Sequence, residues 1–191
     1  MAKLVVPSSN VVGALLAALW VFCLAFPALG DDANPNPALD SLFASLRIAP
    51  DAVAAQTIER QIWKVWLTPS DPDLANRMLA VAEAEQSGDL QGARTLLDKL
   101  VVDFPTYAEG FNQRATVEFE MNDFEASLAD IDKVLQYEPR HFGALSGRVM
   151  IYLQQGKRPL ALKDMMTALA IDPFLSEKQL FPELMRPTTQ I

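Results

Sequence analysis

Apolar and polar positions alternate along much of this chain with the period of a helix, in segments that come in pairs. Residues 106–121 place Ala108, Phe111, Ala115 and Phe119 on one side; residues 124–137 do the same with Phe124, Leu128, Ile131, Val134 and Leu135. Spacing at i, i+3, i+4 and i+7 is the stripe of an amphipathic helix, so two helices are predicted. Asn122-Asp123 separates them, because Asn tolerates the left-handed backbone that ends a helix. Pro139 ends the second by removing a donor and restricting Glu138. A second pair is predicted near the N-terminus. Leu39, Leu42, Phe43 and Leu46 stripe residues 38–47, Ile58, Ile62 and Trp66 stripe residues 51–67, and Asp51 is placed to cap the latter helix. Residues 175–186 read as a short capping helix interrupted by Pro182, and Thr188–Ile191 as a frayed tail.

The pattern repeats at a fixed distance. Pro105, Pro139 and Pro173 are 34 residues apart, as are the small residues Ala93, Ser127 and Ala161. The turn pairs Gly88-Asp89, Asn122-Asp123 and Gly156-Lys157 keep the same spacing, and Glu138-Pro139 and Asp172-Pro173 close their repeats alike. The small residues are positioned to let paired helices approach closely.

A helix–turn–helix unit of this length resembles the tetratricopeptide repeat. The resemblance covers residues 74–173 and is strongest in the middle repeat, through Phe111, Ala115, Asn122-Asp123-Phe124, Ser127 and Pro139; the third adds Tyr152, Gly156, Ala161, Ala168 and Asp172-Pro173. The first keeps Gly88-Asp89, Ala93 and Pro105 but has Arg77 and Ala84 where aromatics are usual, and Arg114 and Arg148 stand where the family has a buried leucine. The resemblance implies an all-α, right-handed α-solenoid of about three repeats (74–107, 108–141 and 142–175, within 71–173). An N-terminal helical pair (38–70) would cover the open end of the array, and a C-terminal cap and tail (174–191) would close the other.

The first thirty residues read as an address. Lys3 precedes an uncharged run from Val11 to Leu29, and Ala28-Leu29-Gly30 matches a small-x-small cleavage site before Asp31-Asp32. A signal peptide over 1–30 is expected, followed by a flexible mature N-terminus over 31–37, with export to the periplasm or beyond. An uncleaved inner-membrane anchor over 11–29 is the rival reading, since nineteen residues just span a bilayer. Charge narrows the partners. The chain carries −8, and −9 without residues 1–30. It therefore has no electrostatic footprint for nucleic acid, and contact with a membrane is expected only through the N-terminal segment if it is retained. Cys23, the single cysteine, lies inside the apolar run, which removes disulfides and thiolate chemistry from the mature chain.

Candidate chemistry is sparse. His141 is the only histidine; with no nucleophile or oxyanion motif beside it, it reads as a residue at the start of the third repeat's first helix bonded to a neighbour. One histidine and no mature cysteine give no metal site, and Asp123, Glu125, Asp130 and Asp132 fail the spacing of a calcium loop and read as a solvated face. No phosphate loop or nucleophile elbow is present, so neither a cofactor nor an enzymatic activity is expected. Arg114 and Arg148 read either as an internal salt-bridge network, which is favoured, or as a ladder gripping a partner's carboxylates.

The function expected is that of a non-enzymatic adaptor, holding a peptide or protein segment in a concave groove lined by the first helix of each repeat. The family pattern puts Met78, Ala82 and Glu85 of the first repeat there, Glu109, Asn112, Gln113, Thr116 and Phe119 of the second, and Gly143, Ser146, Met150 and Leu153 of the third. Met78, Ala82, Gly143 and Gly147 stand where family members that clamp acidic C-termini carry basic and amide groups, so an uncharged or amphipathic segment is expected and not an acidic tail. The alternative is a structural subunit of a larger envelope complex, contacting through outer helix faces or the Trp63/Trp66 segment.

Overall fold

A computed structural model describes residues 36–185; the expected signal peptide, most of the stretch 31–37 and the tail 188–191 lie outside them. Among the described residues every regular element is helical. Two helices, α1 (Pro37–Arg47) and α2 (Ala52–Leu67), precede three hairpins. These are α3 (Pro72–Gln86) with α4 (Leu90–Asp103), α5 (Ala108–Glu120) with α6 (Phe124–Tyr137), and α7 (Phe142–Gln154) with α8 (Arg158–Ile171). Each helix from α3 to α8 packs on the next in sequence, which makes the described chain an all-α solenoid.

One device closes the first helix of every hairpin. Gly88, Asn122 and Gly156 have φ of 77°, 62° and 68°. Asp89 N–H donates to Ala84 O and Gly88 N–H to Glu85 O; the same pair recurs from Asp123 to Glu118 and Asn122 to Phe119, and from Lys157 to Tyr152 and Gly156 to Leu153. These crossed bonds form the Schellman motif, in which a left-handed residue satisfies the last carbonyls of a helix. The next residue then starts the following helix: Asp89 accepts from Gly92 N–H at 2.9 Å and Asp123 from Ala126 N–H at 3.4 Å.

The small residues do let the hairpins close. Ala93, Ser127 and Ala161 are fully buried, and Ser127 Oγ donates to Ala115 O on the facing helix at 2.7 Å. Two further starts are set by Pro at the first helical position, where no N–H is needed. Asn36 caps α1 ahead of Pro37, and Asp71 caps α3 ahead of Pro72. Pro37 therefore belongs to a helix, although the composition of 31–37 reads as flexible.

Arg114 and Arg148 join helices inside the protein. Arg114 Nε and Nη2 donate to the two oxygens of Asp130 (2.6 and 2.8 Å), and Nη1 reaches Asp98 at 3.0 Å. Arg148 repeats this with Asp164 (2.7 and 3.1 Å) and Asp132 (2.8 Å). Arg114 thus ties α4, α5 and α6, and Arg148 ties α6, α7 and α8. The equivalent positions of the first hairpin are Ala80 and Leu96, so it lacks its rung.

Two expectations need correction. The α1–α2 pair does not cover the open end of the first hairpin; it packs on the third. Leu39, Phe43, Leu46, Ile62 and Trp66 share one core with Phe142, Leu145, Val149, Met165 and Ala168. Burial of each such side chain is worth roughly 1.5–3 kcal/mol, so this shared core fixes the pair on the third hairpin. Arg140 fastens α1 there: its Nη1 bonds Asp40 at 2.7 Å, its Nε bonds Glu138 at 2.8 Å, and its guanidinium lies 4.4 Å from the Phe43 ring centre. Leu79 and Val102, on the first hairpin, remain exposed. The second correction concerns the C-terminal segment. It is a 3-10 turn (Ser176–Leu180) followed by α9 (Pro182–Met185), a single turn that Pro182 begins and does not interrupt. Phe181, fully buried between them, anchors it to the α1–α2 core.

Candidate functional site: a groove walled by α2, α5 and α7

Helices α5 and α7, the first helices of adjacent hairpins, face each other across an apolar pocket of about 130 Å³ floored by Ala115, Ile131 and Ile151. Asn112, Thr116, Gly143, Gly147 and Met150 also line a wider cavity of about 450 Å³. Its far wall is α2 with Gln56, Glu59 and Trp63, and its end is the segment Phe174–Glu177. Gly143 makes this closure possible. A Cβ there would lie 2.6 Å from Trp63 Cη2, so only glycine lets the indole rest on α7.

A buried polar cluster holds α2 in place. His141 caps α7, its Nδ1 accepting from Ala144 N–H at 3.0 Å. That bond leaves the proton on Nε2, which donates to Glu109 Oε2 at 3.0 Å. Glu109 Oε1 in turn accepts from Asn112 Nδ2 at 3.2 Å and Gln113 Nε2 at 2.6 Å. The imidazole stacks on Trp66, and Tyr107 Oη donates to Trp66 O at 2.7 Å. Burial, and then the Glu109 charge, push the Tyr107 phenol above its usual range. His141 is fully buried with both nitrogens engaged, so it is a structural link between α7, α5 and α2.

The groove is acidic. Glu59 is raised to about 7, first by burial and then by the neighbouring, fully buried Asp172; Glu177 adds to the effect and Arg60 opposes it. Neither cavity is lined by any lysine or arginine among the described residues. Ser146 is buried against the larger cavity with no hydrogen-bond partner for its Oγ. A separate depression of about 510 Å³ lies between α3, α5 and the α2–α3 linker. There Glu85 is raised by burial and by Glu120 and Glu109, and its Oε1 has no partner.

The expected groove residues divide accordingly. Asn112, Thr116, Phe119, Ser146 and Met150 come together with Gly143 in the joined cavities. Ala82, Glu85 and Gln113 line the α3 depression instead. Met78 reaches that depression but is largely buried in the core of the first two hairpins. Glu109 is not a groove ligand, because its carboxylate is buried and spent on His141, Asn112 and Gln113. Leu153 turns away to pack on the α1–α2 core. The Trp63/Trp66 segment is also not an outer contact. Trp66 is 7% exposed, and both indoles lie against His141 and Phe142. The sequence pattern missed Gln56, Glu59 and Trp63 as a wall; the signal available was Gly143, a glycine in the first turn of α7 where the stripe calls for a side chain.

No family model matches the chain. It is similar to a TPR repeat-containing protein of Rhizobium etli, 35% identical over 130 residues, covering 68% of this chain and 64% of the relative. It is also similar to Sperm-associated antigen 1 of Mus musculus, 31% identical over 118 residues, which covers 61% of this chain and 13% of the mouse protein. The human Sperm-associated antigen 1 is 32% identical over 110 residues. The chain thus spans just under two thirds of its bacterial relative and about an eighth of the mammalian ones.

Proposed function

Because this chain belongs to the tetratricopeptide-repeat family, we propose that it is a non-catalytic adaptor, exported by residues 1–30, that holds a segment of a partner protein between α2, α5 and α7. The observation that carries the reading is the joined cavity at the α5–α7 seam. It offers a partly exposed Met150 and Phe119 beside the polar groups Asn112 and Thr116, and no segment among the described residues fills it. A thioether and an aromatic ring supply adaptable apolar contact, while the amide and hydroxyl can bond an extended backbone. Fixed walls on three sides lower the ordering cost of binding.

The test is capture from envelope extract by the chain beginning at Asp31, beside a Phe119→Lys, Met150→Lys double variant of unchanged helicity. A partner held by the first and lost by the second supports the groove; a partner held equally by both refutes it. The alternative, a structural subunit, rests on the exposed Leu79 and Val102 of the first hairpin and not on the tryptophans. It is favoured if Leu79→Lys abolishes capture and the groove variant does not. Export is tested by the intact mass of the chain recovered from the envelope fraction. A chain starting at Asp31 supports a cleaved signal, and one retaining residues 11–29 supports the anchor.

A further inference from the structure

Resting on that groove reading, we propose that the cavity between α2, α7 and the segment after α8 seats a basic side chain, lysine or arginine, of the bound partner segment. Two carboxyl groups from distant parts of the chain line it, Glu59 on α2 and Glu177 after α8, with buried Asp172 directly behind Glu59. Their mutual repulsion has little internal relief. Arg60, the one cation that opposes it at Glu59, is exposed and bonds Thr57 at 3.0 Å. A cation entering from a partner would convert that repulsion into attraction at a site whose desolvation is already complete for Asp172.

Independent of the carboxyl groups, an unpartnered polar side chain lines the cavity. Ser146 is 8% exposed, lines the cavity, and its Oγ has no hydrogen-bond partner. Such a hydroxyl can accept from an ammonium or guanidinium N–H, which an aliphatic group cannot offer; the preference for a cation over an anion rests on the Glu59 and Glu177 carboxyl groups that line the same cavity. The walls suit the same occupant: Trp63 gives aromatic surface for the stem and for cation–π contact and Met150 follows the aliphatic part, while Phe174 already carries the chain's own Lys178, 5.4 Å from its ring centre, and Phe142 is buried in the core. A bare metal ion fits less well, because among the described residues no three His, Cys, Asp or Glu side chains converge closely enough to hold one. The partner segment is therefore amphipathic with a basic anchor, which sharpens the expectation of an uncharged or amphipathic ligand.

The test uses the full-length chain in mild detergent and a phage-displayed random dodecapeptide library. Enriched peptides are resynthesised as they are and with each lysine or arginine replaced by norleucine. Affinities are measured on the native chain, Glu59→Gln, Glu177→Gln, the groove variant Phe119→Lys and, as a control on the outer face, Glu125→Gln. Glu59→Gln removes the repulsion with Asp172 at nearly unchanged shape, and Glu177 is partly exposed, so the fold has two independent routes to survive. The expected result is a shared basic residue whose replacement weakens binding about tenfold. That difference should vanish in Glu59→Gln or Glu177→Gln and persist in Glu125→Gln. Peptides that depend on Phe119 but bind equally well with norleucine overturn the basic anchor and leave the groove standing. Enriched peptides indifferent to Phe119→Lys overturn both readings.

Discussion

The imidazole of His141 lies flat on the indole of Trp66, ring centres 4.0 Å apart and planes within 6° of parallel. Through this contact a helix near the N-terminus is bound to the third hairpin, and the Glu109 carboxylate completes the link to the second. His141→Ala should strand both Ala144 N–H and Glu109, costing about 2–4 kcal/mol in urea unfolding. His141→Asn keeps a capping acceptor and should lose less. Equal losses for the two variants would show that the cap contributes little.

The arginine rungs give a constructive prediction. Adding the missing one, Ala80→Arg with Leu96→Asp, should stabilise the first hairpin by about 1 kcal/mol, the scale of a bidentate pair at a half-buried site. Arg148→Lys should cost a similar amount, because an ammonium cannot span both oxygens of Asp164. Hydrogen exchange of α3 and α4 reads the first effect directly, and unchanged protection would count against it.

Two glycines of α7 should behave oppositely on replacement by alanine. At Gly147 the nearest atom to an added Cβ is Ile131 Cδ1 at 3.8 Å, so Gly147→Ala should stabilise by about 0.5–1 kcal/mol through helix propensity. At Gly143 the Cβ meets the Trp63 ring, so Gly143→Ala should destabilise by about 1–3 kcal/mol and shift the tryptophan fluorescence as α2 moves off. Matching thermal shifts for the two variants would contradict this placement of α2.

Acid–base behaviour offers a fourth prediction. Glu118 is 3% exposed and raised from 4.5 to about 7, first by burial and then by the neighbouring Asp130; Arg114 and Arg94 pull it the other way and Asp123 adds a smaller upward push. A raised carboxyl is held protonated by the fold, so its stabilising contribution is complete below about pH 4.5 and is lost as pH rises to about 7. Glu118→Gln, a permanent mimic of the protonated form, should therefore be more stable than the parent at pH 8 by about 2 kcal/mol and no different at pH 4. Glu59 titrates with the same sign, so the variant flattens only part of the slope.

The array was legible because its signals are local. A left-handed turn residue, a small residue at the helix crossing and a proline after the second helix each impose their constraint within a few positions, and each recurs at 34. The seat of α2 was not legible. Ile58, Ile62 and Trp66 announce a buried face, but a stripe does not say what buries it, and the complementary surface is on α7 and α8. Glu109 shows the same boundary. Its position marks it as groove-facing, and only the arrival of His141, 32 residues later, turns it inward. Ser146 and Glu59 acquire meaning as a pair only once α2 crosses the groove.

The bond between Asp40 and Arg140 joins residues 100 apart, whereas the hairpins from α3 to α8 are built from neighbours. Local contacts form early and distant ones late, since loop closure must precede their reward. On a growing chain α1 and α2 emerge first and wait, with Trp63 and Trp66 uncovered, until α7 and α8 have left the ribosome. Their docking follows the assembly of the hairpins they pack on, and the groove acquires its third wall only then.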